Sequence, residues 1–595
     1  MATAFSLGGD LVHEAIKNPA AVQVKDHTDI TKEDRDARMK WWRDGKFGVF
    51  IHFGIYSVPA GEYKGNIPHP CAEWIMNFAH IPAAEYREYA KQMTLSRFDA
   101  DRWVKAIADA GAKYIVITTK HHDGFSMFDS ALTPYNIKKA TPYGKDFLKE
   151  LSAACKKHGV RFGTYYSVLE WDNPALGTIP ARDKAKYMPF MKGQLAELIG
   201  RYGTDILWFD GEWEGWWKDE DGREIYNYLR TLKPGIIVNN RITKARQGMQ
   251  GMSKNDVFGA DFGTPEQEVP DQGLPGVDWE SCITMNRSWG YSRKDEDWKS
   301  TDVLIHQLID TVSKGGNYLL NIGPRPDGSI PEASLERLKQ MGRWMKKNGS
   351  ALYGTQPAPF KKMPWGRATR KGDTYYFFVY DRPDDQTVLV PFAGTGAVTV
   401  KTLDGKVVLP AKQTDRGLIV HVDKLKSDDA LPVVFTMTGK GTVIDGAVPG
   451  KNGSFTLDAD SAELAGGLKV QESSATGQLV GAAEKREKNI GFWTSEQGRA
   501  EWTLNVPSKG MYQVDVTFAC NKGTEGSRVV IAAGDGSLDW VVPSTGSWQA
   551  YRTVSIGRLA LPAGKTVLKM SAAAKPSEGV ANVREITLKP VQAAN

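Results

Sequence analysis

Thr204-Asp205-Ile206-Leu207-Trp208-Phe209-Asp210-Gly211 decides the reading of this chain. A short apolar run bounded by turn residues is the pattern of a buried strand. This one ends in a carboxylate with a glycine directly after it. A carboxylate where a strand of a parallel α/β fold meets solvent is placed to do chemistry. Similar strand ends recur along the first two-thirds of the chain and carry most of its unusual polar residues.

Upstream, the pattern predicts strands over 47–52, 114–118 and 160–166, with helices over 101–111, 145–158 and 187–202 between them. Downstream it predicts a helix over 224–232, a strand over 236–239, a helix over 301–313 and a strand over 317–322. A closing helix runs from Pro331 to Asn348, with proline at its start. Strands alternating with helices predict parallel βα units. Roughly 300 residues of them, with no glycine-rich phosphate fingerprint after the first strand, predict a (β/α)₈ TIM-like barrel rather than a doubly wound sheet. After Gly354 the character changes. Short strands over 374–380, 387–390, 397–402, 417–422 and 432–437 predict a small β-sandwich. Gly439 to Gly453 reads as a glycine-rich linker, and a second all-β run follows from Ser454 to about Pro590. The domains are therefore expected at 1–355 (a barrel with an N-terminal extension), 356–440 (the sandwich) and 454–595 (an all-β module).

Composition narrows the function classes. The chain has 595 residues, enough for roughly three or four domains. A hydrophobic fraction of 41% and a charged fraction of 25% are those of an ordinary soluble protein. The net charge of +6, from 76 basic and 70 acidic residues, gives no case for nucleic acid and leans only faintly toward an acidic polymer. Eighteen Trp and 21 Tyr supply faces that suit sugar rings as well as cores. Cys71, Cys155, Cys282 and Cys520 have no paired spacing, which speaks against a disulfide framework or a zinc knuckle. No apolar run reaches the length of a membrane span. Met1 to Ala20 lacks the basic start and apolar block of a signal peptide, so the compartment stays open. Oligomeric state is not legible.

Five successive strand ends deliver polar residues to one rim: His52, then His121-His122-Asp123-Gly124, then Tyr165-Tyr166, then Asp210, then Asn239-Asn240-Arg241. Each has a plainer reading as a hydrogen-bonded or salt-bridged structural residue, and their concurrence is what favours a site. Adjacent His121 and His122 would point to opposite sides of a regular strand, leaving at most one on the pocket. His52, His121 and Asp210 are conceivable metal ligands, but no His-x-His pair or cysteine ligand supports that. Hydrolysis of a glycosidic bond needs two carboxyl groups. Asp210 is the first candidate, and Glu266, Glu268 and Glu280 compete for the second. All three read as loop carboxylates, and spacing does not choose among them.

The motifs then resemble a known family. Trp41-Trp42, His52-Phe53-Gly54, Glu73-Trp74, Lys120-His121-His122-Asp123-Gly124-Phe125, Tyr165-Tyr166-Ser167 and Trp208-Phe209-Asp210-Gly211 stand in the order found in α-L-fucosidases of glycoside hydrolase family 29. Asn240-Arg241, Thr264-Pro265-Glu266, Trp279-Glu280-Ser281-Cys282, Ser288-Trp289-Gly290-Tyr291 and Lys314-Gly315-Gly316-Asn317 through Pro324 continue the order, so the likeness covers about residues 35–356. It implies a retaining exo-glycosidase that releases terminal α-L-fucose from a fucosylated oligosaccharide or polysaccharide. Asp210 matches the nucleophile and Glu266 the acid/base, with Glu280 as runner-up. His52, Glu73, Trp74, His121, His122, Tyr165, Trp208 and Arg241 match sugar-binding positions, and Trp289 an apolar wall near the fucose methyl group. No metal or organic cofactor is implied for catalysis, and a periplasmic or secreted location is favoured. The last module resembles carbohydrate-binding β-sandwiches, which often hold a structural calcium. No ligands for one are assignable, and Trp540 and Trp548 are its first candidates for a sugar platform. The readings set against this one are another barrel glycosidase, a metal-dependent barrel hydrolase, and a glycan-binding protein on an inactive barrel.

Overall fold

The computed structural model describes residues 2–172, 183–254, 257–270, 276–360, 363, 365–380, 382, 386–414, 417–426, 431–450, 452–473 and 487–591, excepting the side chains of 2–9, 460, 472–473 and 487. The chain divides into two compact units, Met1–Pro357 and Ala358–Asn595.

In the first unit seven strands form one parallel sheet: β1 (Phe47–Ile51), β2 (Tyr114–Lys120), β3 (Arg161–Ser167), β4 (Ile206–Asp210), β5 (Ile237–Val238), β6 (Glu280–Thr284) and β7 (Asn317–Ile322). Their order is β5-β4-β3-β2-β1-β7-β6. Helices Ala100–Asp109, Phe147–His158, Lys184–Tyr202, Asp219–Leu232, Thr301–Ser313 and Glu332–Asn348 connect the strands or follow them. Their ends carry ordinary stop and start signals. Asp146, for example, caps Phe147–His158 by accepting from the Lys149 amide, and Gly159 ends the helix at φ 68°. Residues 261–266 pair with both outer strands through parallel bridges, Asn239 with Phe262, Gly263 with Trp279 and Glu266 with Cys282.

Side chains alternate across a strand, so residues two apart share a face. One face gathers Phe50, Tyr114, Val116, Tyr165, Ile206, Trp208, Ile237, Phe262, Cys282 and Leu319 into a single buried cluster. The same period places His52 beyond Phe50, Asp210 beyond Trp208 and Asn321 beyond Leu319. Gly48 makes room for this packing, since a Cβ there would lie 2.4 Å from the Tyr114 ring.

Two features depart from the sequence reading. Glu280 is not on a loop: it opens β6 and is fully buried. The run Glu280-Ser281-Cys282-Ile283-Thr284 is too polar to announce a core strand, because its polar groups are satisfied inside the protein. The helix Lys32–Gly45 in the N-terminal extension is also a working part of the core. Its Trp42 ring packs 4.9 Å from Phe262, Arg38 pairs with Asp261 (2.8 Å), and Arg43 grips Asp278 through two bonds of 2.7 and 2.8 Å.

The second unit holds two separate hydrophobic cores. One gathers Trp365, Phe377, Val390, Val420 and Phe435 between short antiparallel sheets. The other lies between a six-stranded and a five-stranded sheet drawn from residues 455–590. The expected linker at 439–453 is structured at two points: Gly441–Val443 pairs with Phe392–Gly394, and Ala447 bridges to Leu504. Trp540 is buried 4.7 Å from Phe518, so it is a core residue rather than a surface platform, whereas Trp548 is half-buried.

Asp261 accepts from Arg38, the Tyr226 hydroxyl (3.1 Å) and the Val238 amide (2.9 Å). Asp261→Ala takes the buried carboxylate from Arg38, leaving that guanidinium only the half-exposed Asp34 (2.9 Å) and the Ile236 carbonyl (3.1 Å). It should destabilise the first unit by about 3–5 kcal/mol, measurable as a lower urea midpoint by tryptophan fluorescence.

Candidate active site

A cavity of about 330 Å³ opens at the carboxyl ends of the strands. Ten residues singled out from sequence line it: His52, Glu73, Trp74, His121, Tyr165, Trp208, Asp210, Arg241, Glu266 and Trp289. Phe50, Trp213, Arg246, Met249 and Cys282 line it too and were not foreseen. Trp213 and Arg246 had a legible signal, since each follows a strand end already marked for chemistry. Met249 had none.

Asp210 stands where β4 stops. Gly211 follows at φ 88°, and a Cβ there would lie 2.8 Å from Leu169, so the turn that exposes the carboxylate requires glycine. Arg241 connects the two acids. Its Nη1 donates to Asp210 Oδ1 (2.9 Å) and its Nη2 to Glu266 Oε2 (2.8 Å). Both carboxylates therefore line the same cavity, held by one side chain. Arg241 is oriented by Thr264, whose hydroxyl accepts from Nε (2.9 Å) and donates to Asn240 Oδ1 (3.0 Å). The guanidinium also lies 4.5 Å from the centre of the Trp208 ring. Tyr165 donates its hydroxyl to Asp210 Oδ2 (2.9 Å), and His122 Nε2 is 3.7 Å from the same oxygen. Burial pushes the Asp210 carboxyl up, but Arg241, His122 and Arg246 outweigh it, and the net shift is downward. Asp210 is held ionised.

His121 and His122 do not take opposite sides. β2 ends at Lys120, and the chain turns through His121–Gly124 with Gly124 at φ 77°. The two rings are then 4.2 Å apart. His121 faces the cavity and His122 backs Asp210. Burial pushes His52 down to about 3, His122 to about 4, and His121 well below its ordinary value. All three are neutral at physiological pH. Asn321 fixes the His52 tautomer: its Nδ2 donates to the Trp289 carbonyl (2.7 Å), so its Oδ1 accepts from His52 Nδ1 (2.7 Å). His52 Nε2 is thereby left as an acceptor. Glu73 is buried and pushed up to about 7 by desolvation. Its Oε2 accepts from the Gly290 amide (2.9 Å), while Oε1 has no protein partner.

The structure does not bring Glu280 to the cavity. Glu280 lies at the amino end of its strand and Asp210 at the carboxyl end of β4, with the Trp208 indole between them donating to Glu280 Oε1 (3.2 Å). Tyr114 donates to its other oxygen. Glu268 does not line the cavity either. Among the described residues no three His, Cys, Asp or Glu converge as a metal site, in this unit or in the C-terminal module.

Paired acids facing an aromatic-lined hollow of sugar size are the layout of a glycoside hydrolase. Comparison with known proteins gives the same class and a family. The Alpha-L-fucosidase family model matches residues 15–350. Tissue alpha-L-fucosidase of Mus musculus is 33% identical over 431 residues, covering 68% of this chain and 92% of the mouse protein. A crystal structure of alpha-L-fucosidase from Vibrio sp. strain EJY3 superposes with a TM-score of 0.74 at 25% identity, covering 95% of this chain and 99% of that one. One from Bacteroides thetaiotaomicron gives 0.64 at 30% identity, covering 70% and 98%. The chain belongs to the alpha-L-fucosidase family and is a glycoside hydrolase.

Glu280 is buried and pushed up to about 7 from an ordinary 4.5. Between those values the folded state keeps a proton that the unfolded state has lost, so stability falls as pH rises through that window. Glu280→Gln removes this term. Thermal denaturation should show it losing less stability than the parent between pH 5 and pH 8, by on the order of 3 kcal/mol.

Proposed function

We propose that this protein releases terminal α-L-fucose from fucosylated glycans by double displacement with retention, using Asp210 as nucleophile and Glu266 as acid/base. The single observation that carries this reading is Arg241 bridging the two carboxylates in one cavity. Retention needs acids about 5–5.5 Å apart, and two carboxylates on neighbouring nitrogens of one guanidinium are close partners. Support also comes from the B. thetaiotaomicron relative, which is described as trapped in a covalent intermediate with 2-fluoro-fucosyl fluoride. We also read the seven-stranded sheet as a closed (β/α)₈ barrel, with residues 261–266 in the eighth place.

In the first step Asp210, ionised by its neighbours, attacks the anomeric carbon while Glu266 gives a proton to the leaving oxygen. The attack consumes the Asp210 charge, and Arg241 then serves Glu266, now the carboxylate that takes a proton from water. Tyr165 and His122 keep Asp210 aimed. His52 Nε2 is left as an acceptor for a sugar hydroxyl, Glu73 lines the cavity beside it, and Trp289 and Phe50 supply apolar surface. This cycle runs on protein carboxyls alone, without a metal or an organic cofactor. A carbohydrate-binding role for 454–595 and a periplasmic or secreted location rest on the resemblance.

Asp210→Asn should lower kcat at least about a thousandfold. Glu266→Gln should lower kcat/KM about 10²–10⁴-fold on glycosides with poor leaving groups. Azide should rescue Asp210→Gly as a fucosyl azide of inverted configuration and Glu266→Ala as one of retained configuration. The reverse pattern sinks the assignment. Chelator should leave release of an aryl α-L-fucoside chromophore unchanged.

A further inference from the structure

Beyond Asp210, Arg241 and Glu266 the cavity continues to a mouth of different character. Trp213 and Met249 line the cavity yet are 41% and 53% exposed, and Trp213 is the only exposed tryptophan among the described residues. Its ring is not loose. It stacks on Trp74 (6.2 Å, 23°), meets His122 edge-on (5.5 Å) and has the Arg246 guanidinium 5.8 Å from its centre. Arg246 is itself fixed by Glu212 Oε1 (2.6 Å) and the Gly248 carbonyl (3.0 Å). A buried carboxylate thus matches the cation, and the mouth presents an aromatic plane rather than an anion site.

Met249 sits in the turn Gly248–Gln250, whose backbone is tied to the segment bearing Glu266. The Glu266 amide donates to the Met249 carbonyl (2.9 Å), and the Thr264 amide donates to the Gly251 carbonyl (2.8 Å). Asn240 Nδ2 donates to that same Gly251 carbonyl (2.7 Å). Gly251 has φ 65°, and a Cβ there would lie 1.9 Å from the Thr264 carbonyl oxygen, so only glycine allows the approach.

We infer that Trp213 and Met249 form the seat for the sugar to which fucose is attached, a neutral pyranose whose C–H face lies on the indole. This rests on the fucosidase reading of the same cavity. The leaving oxygen must lie within reach of Glu266, and Met249 is fixed to Glu266 through one backbone bond. A sugar against Met249 is therefore registered to the acid that protonates it. An indole already held by a second indole loses little freedom on binding.

The test compares kcat/KM for a neutral fucosylated disaccharide with kcat/KM for α-L-fucosyl fluoride, whose leaving group is too small to reach the mouth. In Trp213→Ala the disaccharide-to-fluoride ratio should fall about tenfold, and in Met249→Ala about threefold. Trp213→Phe, which keeps an apolar ring, should recover most of the ratio. A ratio within about twofold of the parent in both alanine variants overturns the seat, whether both substrates slow together or neither does. A parent that prefers a sulfated disaccharide overturns the neutral assignment. A parent inert toward fucosyl fluoride sinks the fucosidase reading, and the seat with it.

Discussion

One guanidinium organises the centre of this protein. Arg241 is buried, its charge faces Asp210 on one nitrogen and Glu266 on another, and its guanidinium carbon lies over the Trp208 ring. Burying an ion pair such as Arg241 and Asp210 is a poor way to gain stability, since desolvation consumes most of the attraction. Such clusters are found where pKa values and geometry must be held for chemistry. The neighbouring Glu212–Arg246 pair adds a second buried charge couple beside the first, and Arg246 helps keep Asp210 ionised.

Around that charged centre the cavity is polar but neutral. The same desolvation that Asp210 overcomes through its cations outweighs the opposing contacts at His52 and His122 and takes the charge from His121 as well, while at Glu73 it prevails over the Gly290 and Ser288 hydrogen bonds and holds the proton up to about 7. A neutral imidazole offers one donor and one acceptor, and at His52 the Asn321 contact fixes which nitrogen is which. A lining of this kind suits a ligand of hydroxyls and C–H faces, and leaves the Asp210–Arg241–Glu266 group to handle charge.

The framework serves the same end. A parallel sheet has two ends, and its period-2 face sorts residues between them. Glu280 and Tyr114 meet at the amino end, His52, Asp210 and Asn321 lie at the carboxyl end, and Trp208 separates the two groups. The helix Lys32–Gly45 grips Asp261 and Asp278, which flank the stretch containing Glu266. A segment of the N-terminal extension thereby steadies one wall of the cavity.

What the sequence determined by itself was local and periodic. Apolar runs ending in His52, Tyr165 and Asp210 announced strands, and the βα alternation announced the parallel sheet. Ordered motifs marked ten of the residues that line the cavity. The tertiary structure decided what depends on contacts between distant segments. Spacing did not separate Glu266 from Glu280, and the motif resemblance ranked Glu266 first with Glu280 as runner-up; the strand direction and the Trp208 indole are what put one in the cavity and the other beneath it. His121 and His122 share a side because β2 stops before them, and Trp540 is core because Phe518, 22 residues away, packs on it. Met249 enters the cavity because Gly251 lets two backbones approach. Periodicity is written in neighbouring residues, whereas burial, charge pairing and backbone approach are properties of segments that meet only when the chain is folded.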